Sequence, residues 1–511
     1  MHRQFLFAAL TVSVLGLTAC DGDDGAVGAQ GPVGPAGPAG ADGTAASAAD
    51  VTVAADRVTT SANDLRGLTY ARVAPHANKL YASGHVGTAD DSRQVVVARL
   101  FADGSPDTSF GADGFVELEA TATQGSGDEF SYGVAELQGG DVVVVAHALD
   151  ADGGQSVYLF RLNSDGEQVA GWGDAQGKVE VVFGYPNSAN GDFPGAPATL
   201  PEDIAWDVLV DRSTTTDRVV VFGQGSANDG TRTDRDRYVA RVNITATGAE
   251  ADPSFNNGNA FSYNATGVLN DSERRGLVEA DGKIMSSGYT DLGGSLDNHI
   301  FQIRLNADGS IDETFGGFSD EASIPAQPGV AVFNPFKVDG GYAETYGAVF
   351  QPSTAAYVIV GYCEATSRDA TESTLGYEVS VAQDMCAFRV SSGTAASIDM
   401  SFGDMGTVIV QSENQGFPTS EDRGRHMVML PDNRVLIAGR YGGIPAAFVL
   451  TPDGVLDTRV DGDGIIELGG SSVNSQFFGI ALSPDGRRVA LSTNTSDAGA
   501  RVVVLKIGLD S

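Results

Sequence analysis

Seven side chains stand at corresponding places in successive stretches of this chain and could bind a ligand: Arg66, Tyr132, Trp206, Arg275, Tyr346, Arg425 and Phe478. An arginine fork holds a carboxylate bidentately and an aromatic ring covers the apolar face of a sugar, so the set suits an anionic or carbohydrate-like ligand. A second set, His85, His147, Gln224, Tyr289, Tyr362, Arg440 and Asn494, is polar and aromatic and comes just past the second apolar strand of each stretch. The competing reading is that both sets merely fill a channel and pack between repeated units. The chain has no GxSxG, no HExxH and no phosphate-binding glycine loop, and of its six histidines one, His2, lies in the leader. No catalytic residue is therefore assigned, although sites assembled from several repeats leave little local signature.

These candidates are spaced by a repeat. From residue 65 onward an apolar strand, a tight polar turn, a second apolar strand, a variable loop, a third strand and an Asp-Gly turn recur roughly every seventy residues. The clearest copies read Arg99-Leu100, Asp103-Gly104-Ser105, Asp107, Ser109-Phe110-Gly111 and Arg304-Leu305, Asp308-Gly309-Ser310, Asp312, Thr314-Phe315-Gly316. Weaker copies begin near Leu159, Val239, Ala387, Ala447 and Val502; the second carries Ala170 and Trp172 in place of Asp and Phe, and the last stops after its third strand. The pattern resembles the bacterial delta-60 repeat family over most of residues 65 to 511. That resemblance implies a β-propeller with no fixed activity.

The physics leads to the same architecture, because a small four-stranded unit has two faces to bury and only stacking around an axis hides both. The expected fold is all-β, a seven-bladed propeller. Its last copy lacks a fourth strand, and Val51-Thr52-Val53 has the alternation to supply it, which would leave no open edge. Arg99, Arg161, Arg241, Arg304 and Arg389, with Asp107, Asp252, Asp312 and Asp399, recur in unit after unit, so they are read as internal ion pairs or turn clamps rather than catalytic pairs. Asp457, Asp461 and Asp463 have calcium-loop alternation but align with the turn at Asp107, so calcium there is the minor alternative and no other cofactor is expected. Segments near 86–94, 184–202, 225–237, 326–342 and 363–385 are long and unlike one another, and a ligand face built from such loops at the channel mouth is the expectation.

The N-terminus addresses the chain. His2 and Arg3 precede an apolar run from Phe5 to Leu17, and Leu17-Thr18-Ala19-Cys20 completes a lipoprotein signal over residues 1–20, with Cys20 the lipidated residue. Residues 21–50 form a collagen-like spacer, with glycine at 22, 25, 28, 31, 34, 37, 40 and 43 and proline at 32, 35 and 38. It reads either as a trimerising stalk or as a polyproline-type spacer reaching up to ~65 Å at ~3 Å per residue. The propeller then runs over residues 51–511. Cys363 and Cys386 remain as a pair, on adjacent strands of the fifth unit, and an exported chain permits their disulfide.

With 67 acidic against 31 basic residues and a net charge of -36, the chain repels phosphate backbones, so nucleic acid is an unfavourable partner. The expected function is a lipid-anchored binding or scaffold module of the cell envelope, facing the periplasm or the cell surface. It touches the membrane through its anchor alone and recognises a carbohydrate, an anionic small molecule or an envelope protein. Two alternatives stay open: a metal- or cofactor-dependent propeller enzyme (a lactonase-like hydrolase or quinoprotein-type oxidoreductase), and a trimeric surface adhesin assembled through the stalk.

Overall fold

The computed structural model describes residues 51–508 apart from 59–61, 88–92, 122–128, 150–153, 184–202, 227–233, 294–297, 338–340, 365–382, 395–396, 413–420, 469–474 and 494–498. Cys20, the glycine-repeat spacer, Asn494 and most of the expected variable loops lie outside the described residues.

The apolar strands are buried on both faces. In Gln94–Leu100, Val95 and Val97 pack with Phe110, Val142 and Val144, while Val96 and Ala98 point the other way to Ala481, Ala490 and Val502. Successive side chains leave a strand on opposite faces, so such a strand must lie between two sheets. Seven apolar clusters follow, each joining one sheet to the next, and the seventh joins the last sheet back to the first. The result is the expected seven-bladed propeller, each blade an antiparallel meander. The inner strands are Asp64–Tyr70, Glu129–Glu136, Ile204–Val210, Asp271–Val278, Tyr342–Gln351, Arg423–Met429 and Phe477–Leu482, and each lies against the next in cyclic order.

Closure is by the N-terminal strand, as expected. Val51–Val58 pairs antiparallel with Arg501–Ile507, from Val51 opposite Ile507 to Val58 opposite Arg501, and Arg501 reaches Asp56 across the pair. Two blades exceed four strands. In the third, the ten-residue strand Arg235–Ile244 pairs with Ala249–Ala251 near one end and Phe261–Tyr263 near the other. In the fourth, Phe318–Ser319 runs parallel to the outer strand Val330–Phe333. The stretch at 326–342 expected to be a variable loop therefore carries that outer strand, because Ile300 to Ile303 need a ladder partner.

The repeated motif is a clasp between blades. Arg99 bonds Asp107 at 2.6 Å, lies over the Phe110 ring at 4.9 Å and donates to Ser164 O in the next blade. Asp107 in turn accepts from Ser109, and Gly111, at φ +54°, donates its N–H to Asp165 O of that next blade. The same parts recur as Arg241 with Asp252 at 2.8 Å, Arg304 with Asp312 at 2.7 Å and Arg389 with Asp399 at 2.8 Å. The second blade has Val169, not the expected Ala170, in the aspartate's place, since its N–H donates to Arg161 O as that of Asp107 does to Arg99 O; there Arg161 turns to Asp141 at 2.7 Å and still reaches Thr245 O in the following blade.

Candidate functional site

Every inner strand begins with the same irregularity. Its pairing with the second strand slips by one residue between Leu65 and Gly67, Ser131 and Gly133, Ala205 and Asp207, Glu273 and Arg275, Thr345 and Gly347, Gly424 and His426, and Phe477 and Gly479. A bulge leaves one residue out of the ladder and re-aims its side chain. The seven residues so released are Arg66, Tyr132, Trp206, Arg274, Tyr346, Arg425 and Phe478. Six are those expected from the sequence. The fourth is Arg274, not Arg275.

These seven form an unbroken circuit. Arg66 lies 4.4 Å from the Tyr132 ring and 4.3 Å from Phe478. Tyr132 stacks on Trp206 with centroids 5.2 Å apart and planes 18° apart. Arg274 lies 4.4 Å from Trp206 and 5.1 Å from Tyr346, and Arg425 lies 4.4 Å from Tyr346 and 5.3 Å from Phe478. Guanidinium over an aromatic face is attractive through the ring quadrupole, more so where water is displaced. Tyr132 and Arg425 are buried and the other five are half-buried.

The second set backs the first. His85, His147, Gln224, Tyr289, Tyr362 and Arg440 sit opposite the residues two places before each bulge. Tyr289 OH accepts from Arg274 at 2.7 Å, and Tyr362 lies 5.5 Å from Tyr346. His147 stacks on Phe130 at 5.3 Å and meets Tyr132 at 5.0 Å, and His85 meets Phe130 at 5.2 Å. Burial, with Arg66 nearby, pushes the His147 imidazole down to about 3, so it is neutral at physiological pH. Three further residues join the site without having been expected: Phe130, Arg93 over the Phe130 ring at 5.0 Å, and Arg423 over Tyr362 at 4.8 Å. Phe130 and Arg423 each stand two places before a bulge, but the residue type there changes from blade to blade, as Asp64, Ile204, Ser272 and Glu344 do, and Arg93 stands at the end of a variable loop, so no repeated residue type flags them.

Beneath the ring the channel is plugged. Arg275 donates to Asp207 at 3.3 Å, to Tyr132 O at 3.3 Å and, across the axis, to Arg66 O at 3.2 Å. His426 stands at the same level, its pKa pushed well below the ordinary value by burial and by Arg275. Other blades place Gly67, Gly133, Gly347 and Gly479 at this level. At Gly67 a Cβ would lie 2.9 Å from Gly133 Cα, so the inner strands approach too closely there for most side chains. Below the plug a channel of about 680 Å³ is lined by inner-strand residues such as Leu68, Val134, Leu277 and Ile480, with Arg72, Glu136, Arg212 and Glu279 among its charged groups. The expected role of Arg275 as a mouth ligand is thus corrected: it closes the channel.

The remaining candidates have structural placements. Cys363 and Cys386 form a disulfide across adjacent strands, Cα atoms 6.0 Å apart. Asp457 accepts from Arg434 at 3.1 Å and Arg459 at 2.8 Å, and Asp463 accepts the Ile465 N–H, so both are engaged in the turn as Asp107 is. Asp461 sits in that turn at φ +50°. Among the described residues no three His, Cys, Asp or Glu side chains converge as a metal site would require.

A seven-bladed fold with a decorated channel mouth defines the chain as a β-propeller protein. Residues 78–110 and 279–315 match the model of a beta-propeller domain of unknown function, DUF5122. The two matched stretches end on the clasps of Phe110 and Phe315, where the motif is most complete. Among solved structures the chain is similar to the Dos1 propeller, at 10% identity and TM-score 0.40, covering 89% of this chain and 95% of that one. It is also similar to the Hadza microbial sialidase Hz136, at 11% identity and TM-score 0.41, covering 82% of this chain and 74% of that one. No curated protein matches the sequence.

Proposed function

We propose that this chain is a lipid-anchored binding module of the cell envelope, displayed from Cys20 on its glycine-repeat spacer, with its ligand site at the channel mouth. The observation that carries the reading is the bulged ring. Seven blades expend the same irregularity to bring three arginines and four aromatics together, although the ladder would be more regular without it. A side chain freed from the ladder has no pairing duty, and rigid scaffolds with such groups at one end are where recognition sits. A screen of the purified chain against anionic and neutral glycans tests it. Binding should fall at least tenfold in Arg425→Ala and Trp206→Ala, and binding that is indifferent to both removes the mouth as the site. Palmitate labelling that persists in Cys20→Ser would refute the anchor.

A further inference from the structure

Granting that the mouth is the binding site, the geometry of the ring narrows what it binds. We propose that the ring is a receptor for oxyanion groups, the carboxylates or sulfates of an acidic ligand, held by the guanidinium edges of Arg66, Arg274 and Arg425, and not a platform on which a sugar ring stacks.

Stacking needs a free aromatic face. Here each aromatic has one ring neighbour from the blade before and one from the blade after: Tyr132 has Arg66 and Trp206, Trp206 has Tyr132 and Arg274, Tyr346 has Arg274 and Arg425, and Phe478 has Arg425 and Arg66. With the faces taken by neighbours, edges are what the ring offers. The edge of an aromatic ring carries partial positive charge, and the donors of a guanidinium lie in its plane. Such a rim attracts negative oxygen and gives a neutral sugar face nothing to cover.

The hydrogen-bond inventory has the same sign. Arg66 commits only Nε, to Asp64 at 2.8 Å, and Arg425 only Nε, to Gln476 at 2.7 Å, so their terminal nitrogens have no protein acceptor among the described residues. Trp206 Nε1 and Arg274 Nε are buried donors with no acceptor among those residues, set against Asp64 Oδ1 and Gln224 Oε1, buried acceptors with no donor there. A buried donor left unmet is costly, and a ligand oxygen relieves the cost. Two carboxylates belong to the same tier: Asp64 on Arg66, and Glu344, which accepts from Tyr346 at 3.1 Å and Asn298 at 2.6 Å. The three arginines outnumber them.

Trp172 and Trp206 are the two tryptophans of the chain, so Trp172→Phe leaves Trp206 as a reporter inside the ring. Fluorescence titrations of that full-length variant would use sodium sulfate, sodium polygalacturonate and neutral dextran, with calorimetry on the unsubstituted chain repeating each one independently of the Trp172 change. Saturable responses to the acidic probes and none to dextran are expected, each weakened at least tenfold by Arg66→Gln and by Arg425→Gln. A response to polygalacturonate alone assigns the oxyanion to an acidic polymer, and a comparable response to sulfate assigns it to a free anion. Dextran bound at Trp206, with acidic probes silent, overturns the oxyanion inference while keeping the mouth as the site. Silence toward every probe overturns the inference, and a ligand from the glycan screen bound without any change at Trp206 overturns the mouth itself.

Discussion

Replacing Arg275 with methionine removes the plug while leaving the ring residues in place. The lost guanidinium donates to Asp207 and to two backbone carbonyls, those of Arg66 and Tyr132, in three other blades. Both ionic partners are less than a tenth exposed, so Asp207 is left as an uncompensated buried charge. Breaking such a pair from one side costs about 3–5 kcal/mol, and the two carbonyls left without a donor are part of that figure. The penalty carries a pH signature. Burial already raises the Asp207 pKa even with Arg275 opposing it, and removing the cation raises it further. A carboxylate whose folded pKa exceeds its unfolded value binds more protons when folded, so its favourable contribution is present at low pH and lost as pH rises through the folded pKa. Arg275→Met should therefore be markedly less stable than the parent at pH 7.5, and the gap should narrow toward pH 4.5. Asp207→Leu combined with Arg275→Met should recover most of the loss, since replacing both partners leaves no orphaned charge. Urea unfolding followed by near-ultraviolet circular dichroism at the two pH values measures all three chains. A loss under about 1 kcal/mol at pH 7.5, or one that does not shrink at pH 4.5, would refute the plug assignment.

Other perturbations probe other parts of the fold. Cys363→Ser with Cys386→Ser opens a loop closed over 23 residues and should cost about 3 kcal/mol in the chain-entropy account, read as a lower urea midpoint that reducing agent reproduces in the parent. Deleting residues 51–58 exposes the edge of Arg501–Ile507, so light scattering should show association that the intact chain lacks; a monodisperse product would mean another segment closes the blade. Burial holds the Asp271 carboxyl up at about 7 although Arg237 opposes it, so ionising it costs stability between about pH 4 and pH 7. Asp271→Asn should then gain on the parent as pH rises through that window, by up to about 4 kcal/mol at about 1.4 kcal/mol per pH unit, and an unchanged difference from pH 4 to pH 8 would count against it.

The clasp was legible because it repeats. Arg304, Asp312 and Phe315 have counterparts in the same order in three other blades, and a pair found in blade after blade is more economically a joint than a site, which the ion pairs bear out. The ring was legible for the same reason, except in the fourth blade. There Gly276 looks like the counterpart of Gly67, and counting back from it selects Arg275. The two glycines differ physically: a Cβ at Gly67 would strike the neighbouring inner strand, whereas one at Gly276 would strike the Phe222 ring within the blade interface. The residue aligned with Gly67 is Arg275 itself, because the bulge moves the register by one and nothing in a single sequence marks where a ladder slips. The plug was hidden for a related reason: Arg275 meets the Arg66 carbonyl 209 residues away, a contact set by ring closure and by no local pattern.

The contrast between clasp and ring says how such a scaffold divides its labour. Clasp positions hold the same residue types in four blades, because each arginine there must satisfy a carboxylate of its own turn and an acceptor of the next blade, the carbonyls of Ser164, Ala307 and Pro452 or the Tyr357 hydroxyl. Bulged positions carry Arg, Tyr, Trp, Arg, Tyr, Arg and Phe. A residue outside the ladder owes the sheet no particular shape, so its identity answers to its ring neighbours and to whatever enters the mouth. Exchanging Tyr132 for phenylalanine should therefore leave stability within about 1 kcal/mol, whereas exchanging Asp107 for alanine strands Arg99 and Lys79 at a buried joint and should cost several times more. Equal losses from the two would mean the ring is one more joint, and the binding reading would lose its footing.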